Sequence, residues 1–226
     1  MIMKTGELLA VGAKRDRVLP SARLSPVIRR LGLAEYAPTW DAMRRFTAQR
    51  SAATPDELWV LEHPPVYTVG VAGRSEHFPE GSSIPLVRTD RGGQITYHGP
   101  GQAVVYTLVD LDRRELTVRG MVLLLEQAVV DALAEHGLRA ERRRGAPGAY
   151  VEGAKIAALG LRVRRGCCYH GVALNVHMDL APFADIDPCG YPGLAVTQTS
   201  AHGVDAGATE LGEALACRIA LMIGAI

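Results

Sequence analysis

The stretch from Ala149 to Met178, AYVEGAKIAALGLRVRRGCCYHGVALNVHM, decides the fold. Small, β-branched and aromatic residues form three runs in it, and the pairs Glu152-Gly153 and Arg165-Gly166 separate them. Short apolar runs divided by glycine-containing pairs are typical of strands joined by tight turns. The sequence therefore predicts a β-meander. Its predicted strands are Ala149–Val151, Ala154–Val163 and Cys168–Met178.

The rest of the chain adds further strands and three helices to this meander. The clearest helix is predicted over Val118–His136, because Thr117 can cap its start, apolar residues recur at helical spacing and Gly137 can end it. The other predicted helices and strands are Tyr36–Arg50, Leu58–Leu61, Val66–Val69, Ile84–Val87, Gln94–Tyr97, Ala103–Val109 and a last helix over about Thr209–Ile223. Successive strands flanked by helices predict an α/β (α+β) domain with a mixed β-sheet.

Length and composition predict a single globular domain. The chain has 226 residues, of which 48% are hydrophobic and 22% charged, and domains of about 200–250 residues are common. We assign residues 28–226 to this domain and residues 1–27 to a basic N-terminal tail. The longest apolar run of the tail, Leu8–Val11, is too short for a signal peptide. A transit peptide is the weaker alternative, because the tail contains acidic residues and few serines.

The charge balance argues against nucleic-acid and membrane partners. The chain carries 25 basic and 24 acidic residues, for a net charge of +1, so no global field favours a polyanion. No run approaches the ~18–20 apolar residues that cross a bilayer. Arg142–Arg144 is a local basic run, which is either solvated charge or a docking surface.

The cysteines point away from zinc and towards one reactive thiol. The four cysteines, Cys167, Cys168, Cys189 and Cys217, lack the spacing of a structural zinc site, so we expect no metal and reduced thiols, as in the cytoplasm. Cys217 falls in a helical pattern and is expected in the core. Cys189 differs, because Asp187–Gly193 is too rich in Pro and Gly to be a helix or an inner strand. A thiol on such a rigid turn can be aimed at an electrophile.

Two glycine-rich segments carry further candidate residues. In Arg91–Gln102, His98 could polarise a carbonyl or shuttle a proton, or it could serve the fold alone. Lys155 follows Gly145–Val151 in an apolar run, where it either reaches the surface or presents an ammonium to a pocket. His170 also precedes a glycine, and we treat it as a candidate supporting residue with the same structural alternative.

Four motifs occur in a fixed order along the chain. They are RGGQITYHGPGQ from Arg91, GAPGAYVEGAKIAALG from Gly145, YHGVALNVHMDL from Tyr169 and DPCGYPG from Asp187. In order and spacing they resemble the lipoyl(octanoyl) transferase family, whose members are related to lipoate and biotin protein ligases. The similarity runs from about Ser25 to the C-terminus, and the four motifs together are highly specific.

The resemblance implies an acyl pocket enclosed by a mixed sheet and helices. It implies Cys189 as the acyl-accepting nucleophile and Lys155 as its activating partner. The residues that it implies around the substrate are Arg91, Gly92, Gly93, Gln94, Ile95, Thr96, Tyr97, His98, Ala158, Leu159, Gly160, Gly171, Val172 and Ala173.

The implied activity is the transfer of an octanoyl group in two steps. The donor would be octanoyl-acyl carrier protein, and Cys189 would hold the group as a thioester. The acceptors would be lysines on lipoyl domains of 2-oxoacid dehydrogenase E2 subunits and on the glycine cleavage H protein. Because these partners are acidic proteins, the basic run becomes a docking candidate. The implied enzyme is cytoplasmic and uses no cofactor.

Three alternatives stay open at this stage. An ATP-dependent lipoate or biotin ligase would share the fold but activate a free acid as an adenylate, without a cysteine thiolate. A catalytically silent acyl-binding module would form no adduct at Cys189. A thiol hydrolase would release free octanoate instead of forming an amide.

Overall fold

The computed structural model describes residues 25–74, 78–79, 81–187 and 193–225. Within these ranges the helices are α1 (Tyr36–Gln49), α2 (Val118–Glu135) and α3 (Ala208–Gly224). The strands are β1 (Val27–Leu33), β2 (Glu57–Glu62), β3 (Val66–Val69), β4 (Leu86–Arg88), β5 (Ile95–His98), β6 (Gln102–Asp110), β7 (Glu141–Arg142), β8 (Ala149–Val151), β9 (Ala154–Arg164) and β10 (Cys167–Asn175).

The strands form two mixed sheets. The large sheet has the order β1-β2-β6-β10-β9-β8-β7, in which only β1 and β2 are parallel neighbours among the described strands. The small sheet has the order β4-β3-β5, with β3 parallel to β4 and antiparallel to β5. The predicted mixed-sheet domain with flanking helices is confirmed.

The predicted meander is present as β8, β9 and β10. Both turns have positive φ angles at their two central residues: Glu152 (48°) and Gly153 (91°) in the first, Arg165 (51°) and Gly166 (75°) in the second. Such turns match the right-handed twist of antiparallel strands, which explains why these pairs join them tightly. The third strand ends at Asn175, three residues before its predicted end.

The large sheet is covered on both faces. Helices α2 and α3 pack on one face, over the largest hydrophobic core. Helix α1 packs on the other face, where Met43 and Trp59 belong to a second core. The small sheet encloses a third core together with a short 3-10 helix at Ala181–Asp185.

Helix α2 begins and ends as its sequence predicts. The Thr117 hydroxyl accepts a hydrogen bond of 3.0 Å from the Gly120 amide, which caps the first turn. Gly137 follows the helix with a φ of 72°, and its amide donates to the Ala134 carbonyl. One carboxylate, Glu126, is buried among the apolar residues of this helix.

The division into a tail and a domain stays a prediction: strand β1 starts at Val27, and residues 1–24 lie outside the described ranges. One expectation from the sequence is corrected. Cys217 is exposed on α3 and is not a core residue. It lies two positions after the buried Leu215, a spacing that points it away from the helix face that packs on the sheet. No described helix is long and apolar enough to cross a membrane.

Candidate functional site

A cavity of about 500 Å³, which we call the main cavity, lies where the start of α1 meets β5, β6, β9 and β10. Its lining residues are Tyr36, Arg91, Gly93, Gln94, Ile95, Thr96, His98, Val104, Tyr106, Ala158, Leu159, Gly160, His170, Gly171, Val172 and Ala173.

The structure brings together most of the site residues predicted from the sequence. All three predicted segments border the main cavity, and so does His170. Of the predicted site residues in the described ranges, Gly92, Tyr97 and Lys155 lie outside its lining. Tyr97 alternates with Thr96 and His98 along β5, so its ring points to the opposite side and packs against Tyr67 and Phe183. The substrate-binding role of the lining residues stays a prediction.

Three lining residues were not predicted from the sequence. Val104 and Tyr106 lie on a strand that was predicted, but a strand pattern alone does not tell which face borders a cavity. Tyr36 is the first residue of α1 and lies far along the chain from the other lining residues. The contacts between aromatic and histidine rings around the cavity could mark it as a candidate site only once the fold is known.

A close approach of two strands shapes the cavity floor at the His170-Gly171 corner. His170 has a φ of 63°, which is unusual for a residue with a side chain. A Cβ atom on Gly171 would lie 2.1 Å from the Val105 carbonyl oxygen of β6, so only glycine fits there. The corner therefore turns the histidine side chain towards the cavity while β10 stays paired with β9.

Lys155 is buried, with 4% of its surface exposed, so it does not reach the bulk solvent as one interpretation of the sequence had it. It borders a cavity of about 260 Å³, the lysine cavity, whose lining shares Thr96 and Ala158 with the main cavity. It also borders a groove of about 940 Å³, the outer groove. Lys155 therefore lies where the lysine cavity meets the outer groove, and the lysine cavity adjoins the main cavity.

Two neighbours confine the side chain of Lys155. Its Nζ lies 5.6 Å from the ring centroid of Tyr150, its cross-strand neighbour on β8. Gly148 packs against the end of the Lys155 side chain, because a Cβ atom on Gly148 would lie 2.6 Å from Lys155 Cε. The glycine of the predicted turn is thus required for the lysine to fit.

Cys189 lies outside the described residues, but the chain that follows it is tied to Lys155. The Lys155 amide donates to the Ala195 carbonyl (2.8 Å), and the Thr197 amide donates to the Lys155 carbonyl (2.9 Å). These two bonds make a parallel bridge between Lys155 and Val196. Lys155 is therefore joined through the main chain to the segment that follows the predicted nucleophile.

A chain of buried hydrogen bonds begins at Arg91. The Arg91 Nε donates to Thr68 Oγ1 (3.2 Å), and Thr68 Oγ1 lies 3.2 Å from His98 Nε2. His98 Nδ1 lies 2.7 Å from Gln102 Oε1, which accepts its proton. Since Nδ1 donates, Nε2 of the neutral ring accepts from Thr68. Both ring nitrogens are thus engaged inside the protein, which favours the structural interpretation of His98 over proton shuttling.

The same series of hydrogen bonds continues to the segment that pairs with Lys155. The Gln102 Nε2 donates to Asn175 Oδ1 (2.9 Å), and the Asn175 Nδ2 donates to the Thr197 carbonyl (2.9 Å). Burial lowers the pKa of His98 to about 3, so the ring is neutral and the direction of the chain is fixed. The hydrogen bonds therefore connect the glycine-rich segment that begins at Arg91 to the segment beside Lys155.

A second histidine supports the cavity wall behind Tyr106. His63 Nδ1 donates to the Ala34 carbonyl (2.5 Å), and its Nε2 accepts from the Tyr106 hydroxyl (2.7 Å). Burial lowers the pKa of His63 to about 4. This histidine was not singled out in the sequence, where it appears only as part of a turn between two strands.

His170 is held by Asp90, a partly buried acid that also binds α1. Its Nε2 lies 3.1 Å from Asp90 Oδ1, and Asp90 also accepts hydrogen bonds from Trp40 Nε1 (2.8 Å) and from the Tyr169 hydroxyl. Burial acts to raise the pKa of Asp90, but the bonds from His170, Tyr169 and Trp40 outweigh it and lower the pKa well below its usual range. Burial lowers the pKa of His170, which is therefore neutral near pH 7.

The basic run lies close to the lysine. Arg142–Arg144 are exposed, and the Arg143 guanidinium stacks 4.4 Å from the ring centroid of Tyr150, the ring that Lys155 also contacts. The Tyr150 ring therefore contacts both the exposed basic run and the buried amine. In the described ranges, no three His, Cys, Asp or Glu side chains come together in a way that could hold a metal ion.

The chain matches the model of the lipoyl protein ligase A/B catalytic domain over residues 35–221. It is 60% identical over 192 residues to the octanoyltransferase of Dechloromonas aromatica, covering 85% of this chain and 94% of the relative. The chain belongs to the octanoyltransferase family. It is likewise 61% identical to the octanoyltransferase of Thiobacillus denitrificans, covering 83% and 88% of the two chains. The expected family of acyl-transferring enzymes is thereby confirmed.

Solved structures support the fold of this octanoyltransferase family member. A lipoate-protein ligase A bound with ATP superposes with a TM-score of 0.75, covering 88% of this chain and 86% of the other at 18% identity. Biotin protein ligase from Aquifex aeolicus gives a TM-score of 0.52, covering 88% and 70%, at 13% identity. At these identities the likeness shows a common fold and leaves the chemistry to be argued from the site.

Proposed function

We propose that this chain transfers an octanoyl group from octanoyl-acyl carrier protein to a lysine of a lipoyl domain, through a thioester on Cys189. The observation that carries the proposal is the burial of Lys155 at the junction of the lysine cavity and the outer groove, beside the main cavity. The proposed acceptors are the lipoyl domains of 2-oxoacid dehydrogenase E2 subunits and the glycine cleavage H protein.

The residues on both sides of Cys189 support its pairing with Lys155. Asp187 and Gly193 border one cavity of about 620 Å³, and its wall includes Phe183 and Val196. Phe183 and Val196 also line the lysine cavity. The described ends of the segment that contains Cys189 therefore border a space next to the amine.

The main cavity suits the acyl chain of the proposed substrate. Its wall is largely apolar, and each methylene group removed from water contributes ~0.8 kcal/mol. Behind the wall, His63 and His98 are already hydrogen-bonded within the protein, so an alkyl chain can enter without leaving these two rings unpaired. Three atoms of lining residues, Tyr36 Oη, Gln94 Oε1 and His170 Nδ1, are buried without a hydrogen-bond partner among the described residues.

The proposed reaction consists of two half-reactions. The Cys189 sulfur attacks the carrier thioester, its bond to the acyl carbon forms, and the carbon–sulfur bond to the carrier breaks. The acceptor amine then attacks the enzyme thioester, a carbon–nitrogen bond forms and Cys189 leaves as a thiolate. Exchange between thioesters is nearly isoenergetic, whereas formation of the amide is downhill, so the second step drives transfer forward, and covalent catalysis divides the reaction into two easier steps.

Lys155 acts in this scheme mainly as a proton carrier. A thiol of pKa about 8.5 is only ~3% ionised at pH 7, and lowering its pKa by ~2 units gives about 25-fold more thiolate. Because nucleophilicity falls with basicity, about 8-fold of this gain is lost, and roughly threefold is left. We infer that Lys155 takes the thiol proton, passes it to the departing carrier thiolate, and later accepts the proton of the incoming amine.

The test of this function is the mass of the protein during turnover. Incubation with octanoyl-acyl carrier protein should add one octanoyl group to the wild-type chain, and a lipoyl domain should then remove it as an amide. Cys189→Ser should abolish both the adduct and the product, because serine is a far weaker nucleophile near pH 7. Cys217→Ser, which changes an exposed thiol on α3, is the matched control and should behave as wild type.

The same assay separates the alternatives. An octanoyl adduct that persists in Cys189→Ser would contradict the assignment of the nucleophile. Product formed from ATP, free octanoate and lipoyl domain, without the carrier thioester, would indicate a ligase. Release of free octanoate in place of the amide would indicate a hydrolase.

A further inference from the structure

Glu126 is a buried acid in an otherwise apolar stretch of α2. It is 5% exposed, and its neighbours on the helix, Leu124, Leu125 and Ala128, are buried against the sheet. Burying a carboxylate costs free energy unless it is used as a hydrogen-bond acceptor. A leucine at this position would satisfy the pattern of the helix better, so the acid calls for a structural or functional explanation.

The carboxylate of Glu126 holds the turn that precedes β8. Its Oε1 accepts a hydrogen bond of 3.0 Å from the Gly148 amide, across 22 positions of sequence. The same turn is tied at a second point, where the Tyr150 hydroxyl donates to the Ala146 carbonyl (3.0 Å). Glu126 therefore fixes the turn from the helix side and Tyr150 fixes it from the strand side.

Gly148 in turn forms the surface on which Lys155 lies. Its φ is 141°, and a Cβ atom on it would be 2.6 Å from Lys155 Cε and 3.3 Å from Nζ. The same Cβ atom would be 2.6 Å from the Ala157 carbonyl oxygen. The last methylene and the amine of the lysine are thus packed directly against the residue whose amide Glu126 binds.

We propose that Glu126 is a positioning residue for Lys155, which acts by holding Gly148 against the lysine side chain. Without this bond the turn can move away from Lys155, and the amine gains freedom in a space that borders the lysine cavity and the outer groove. Both half-reactions need the amine at one place, and a displacement of ~1 Å can cost about 10²-fold in rate. The inference rests on the proposed role of Lys155.

Two substitutions of Glu126 separate the effect of side-chain length from the effect of charge. Glu126→Gln keeps the length of the side chain and an oxygen that accepts from Gly148, but removes the charge. Glu126→Asp keeps the charge, but shortens the side chain by one methylene and withdraws the acceptor. We expect Glu126→Gln to retain single-turnover rates within about threefold of wild type, because the hydrogen bond is preserved. We expect Glu126→Asp to lower the rates of both half-reactions by about 10- to 100-fold, with KM for the carrier within about twofold.

Glu135→Gln is the control for the amide substitution. It lies on the same helix, where its carboxylate pairs with Arg218 far from the turn, and it should leave both half-reactions unchanged. Thermal unfolding of each variant shows whether a loss of rate merely follows a loss of folded protein. A rate loss in fully folded Glu126→Asp is the result expected from positioning.

Two outcomes overturn the inference. Wild-type rates in Glu126→Asp would show that the acceptor is not needed, and a loss in Glu126→Gln as large as that in Glu126→Asp would show that keeping the hydrogen bond to Gly148 does not keep the activity. Lys155→Arg, measured alongside, distinguishes these from a failure of the proposed function. If Lys155→Arg is inactive while Glu126→Asp is fully active, only the role of Glu126 is wrong; if Lys155→Arg is fully active, the role of Lys155 is wrong and that of Glu126 with it.

Discussion

At the scale of single residues, the site depends on positions where only glycine fits. Gly171 allows β6 to approach β10 at the cavity floor, and Gly148 leaves room for the end of Lys155. Neither function could be assigned from the sequence, which contains 24 glycines. The glycine-rich motifs predicted a site, but which glycine meets which side chain depends on contacts between distant segments.

Gly148→Ala tests the packing of Lys155. The new Cβ atom would collide with Lys155 Cε and with the Ala157 carbonyl oxygen, and the φ of 141° is strained for alanine. We expect a loss of at least ~10-fold in acyl-enzyme formation, measured by intact mass over time, together with a stability loss of about 1–3 kcal/mol.

Gly137→Ala is the matched control for that substitution. It also has a positive φ, of 72°, but no atom lies within 4 Å of its added Cβ. It should cost a similar amount of backbone strain while leaving acyl-enzyme formation unchanged. Equal activity in the two variants would contradict the role of Gly148 as a wall for the lysine.

At the scale of secondary-structure elements, the hydrogen-bond chain from Arg91 to Thr197 links β3, β5, β6 and β10. The chain has one direction, because every group in it donates to the next. A second proton on His98 would turn its Nε2 from an acceptor into a donor facing the Thr68 hydroxyl. The chain therefore requires the neutral ring, and acid should weaken it.

This requirement predicts how stability depends on pH. The pKa of His98 is about 3 in the folded protein, by burial, against about 6.5 in an unfolded chain. Below pH 6.5 the unfolded state therefore binds more protons, so stability is fully present above pH 6.5 and is lost as the pH falls towards 3. We expect His98 to account for a loss of roughly 2 kcal/mol in unfolding free energy between pH 7 and 5.

Urea unfolding at pH 7 and pH 5 measures this loss. His98→Asn removes one titrating group and should reduce the difference between the two unfolding free energies by about the same 2 kcal/mol. The pH range stays above that in which carboxylates such as Asp56 and Asp90 gain protons, since both pKa values are lowered in the folded state. An unchanged difference in His98→Asn would show that this histidine does not titrate as argued.

Most elements could be predicted, because their apolar periodicity and their turn residues agree. The strand Val66–Val69 has the predicted bounds, and Thr117 and Gly137 bound α2 as expected. Strand β1 was missed, because its sequence VIRRLGL interrupts the apolar pattern with two arginines and a glycine; it is an edge strand with an exposed surface. An edge strand needs apolar residues on fewer positions, so its pattern is weak.

Most predicted lining residues came from recognising motifs, whereas the supporting ones had no local signal. Glu126 lies in a predicted helix and His63 in a predicted turn, and neither stands out in composition or spacing. Their partners, Gly148 and Tyr106, are 22 and 43 positions away. Contacts across such distances follow from the packing of α2 and β6 in the fold, which no short window of sequence contains.

At the scale of the whole molecule, nearly neutral charge leaves local patches to guide partners. The net charge is +1, but Arg142, Arg143 and Arg144 are all exposed, and Arg143 packs on the Tyr150 ring that Lys155 also contacts. If the proposed donor is an acidic carrier protein, this patch should speed its association more than the chemistry that follows.

The double variant Arg142→Ala with Arg144→Ala tests docking. Arg143 is kept, because it packs on the Tyr150 ring. We expect KM for the carrier to rise by about 3- to 10-fold at low salt with kcat unchanged, and the difference from wild type to shrink as salt screens the charges. The measurement is steady-state transfer at several ionic strengths.

Arg164→Ala with Arg165→Ala is the control for that test, since it removes two exposed arginines at the β9–β10 turn instead. The control should change KM by less than twofold. Docking at Arg142–Arg144 would be contradicted if both double variants raised KM equally, or if the effect were the same at all salt concentrations.

The partition between the main cavity and the outer groove has a consequence for enzyme engineering. The two spaces share the lining residues Gly93, Gln94, Leu159 and Gly160. Two of these four are glycines, which have no side chain that a substitution could shorten. Tyr106 is tied to His63 and is a poor target as well. Since the main cavity is the proposed site of the acyl chain, a library meant to admit bulkier acyl groups belongs at Tyr36. Tyr36 is the large lining side chain at the start of α1, so a smaller residue there enlarges the main cavity without changing the sheet.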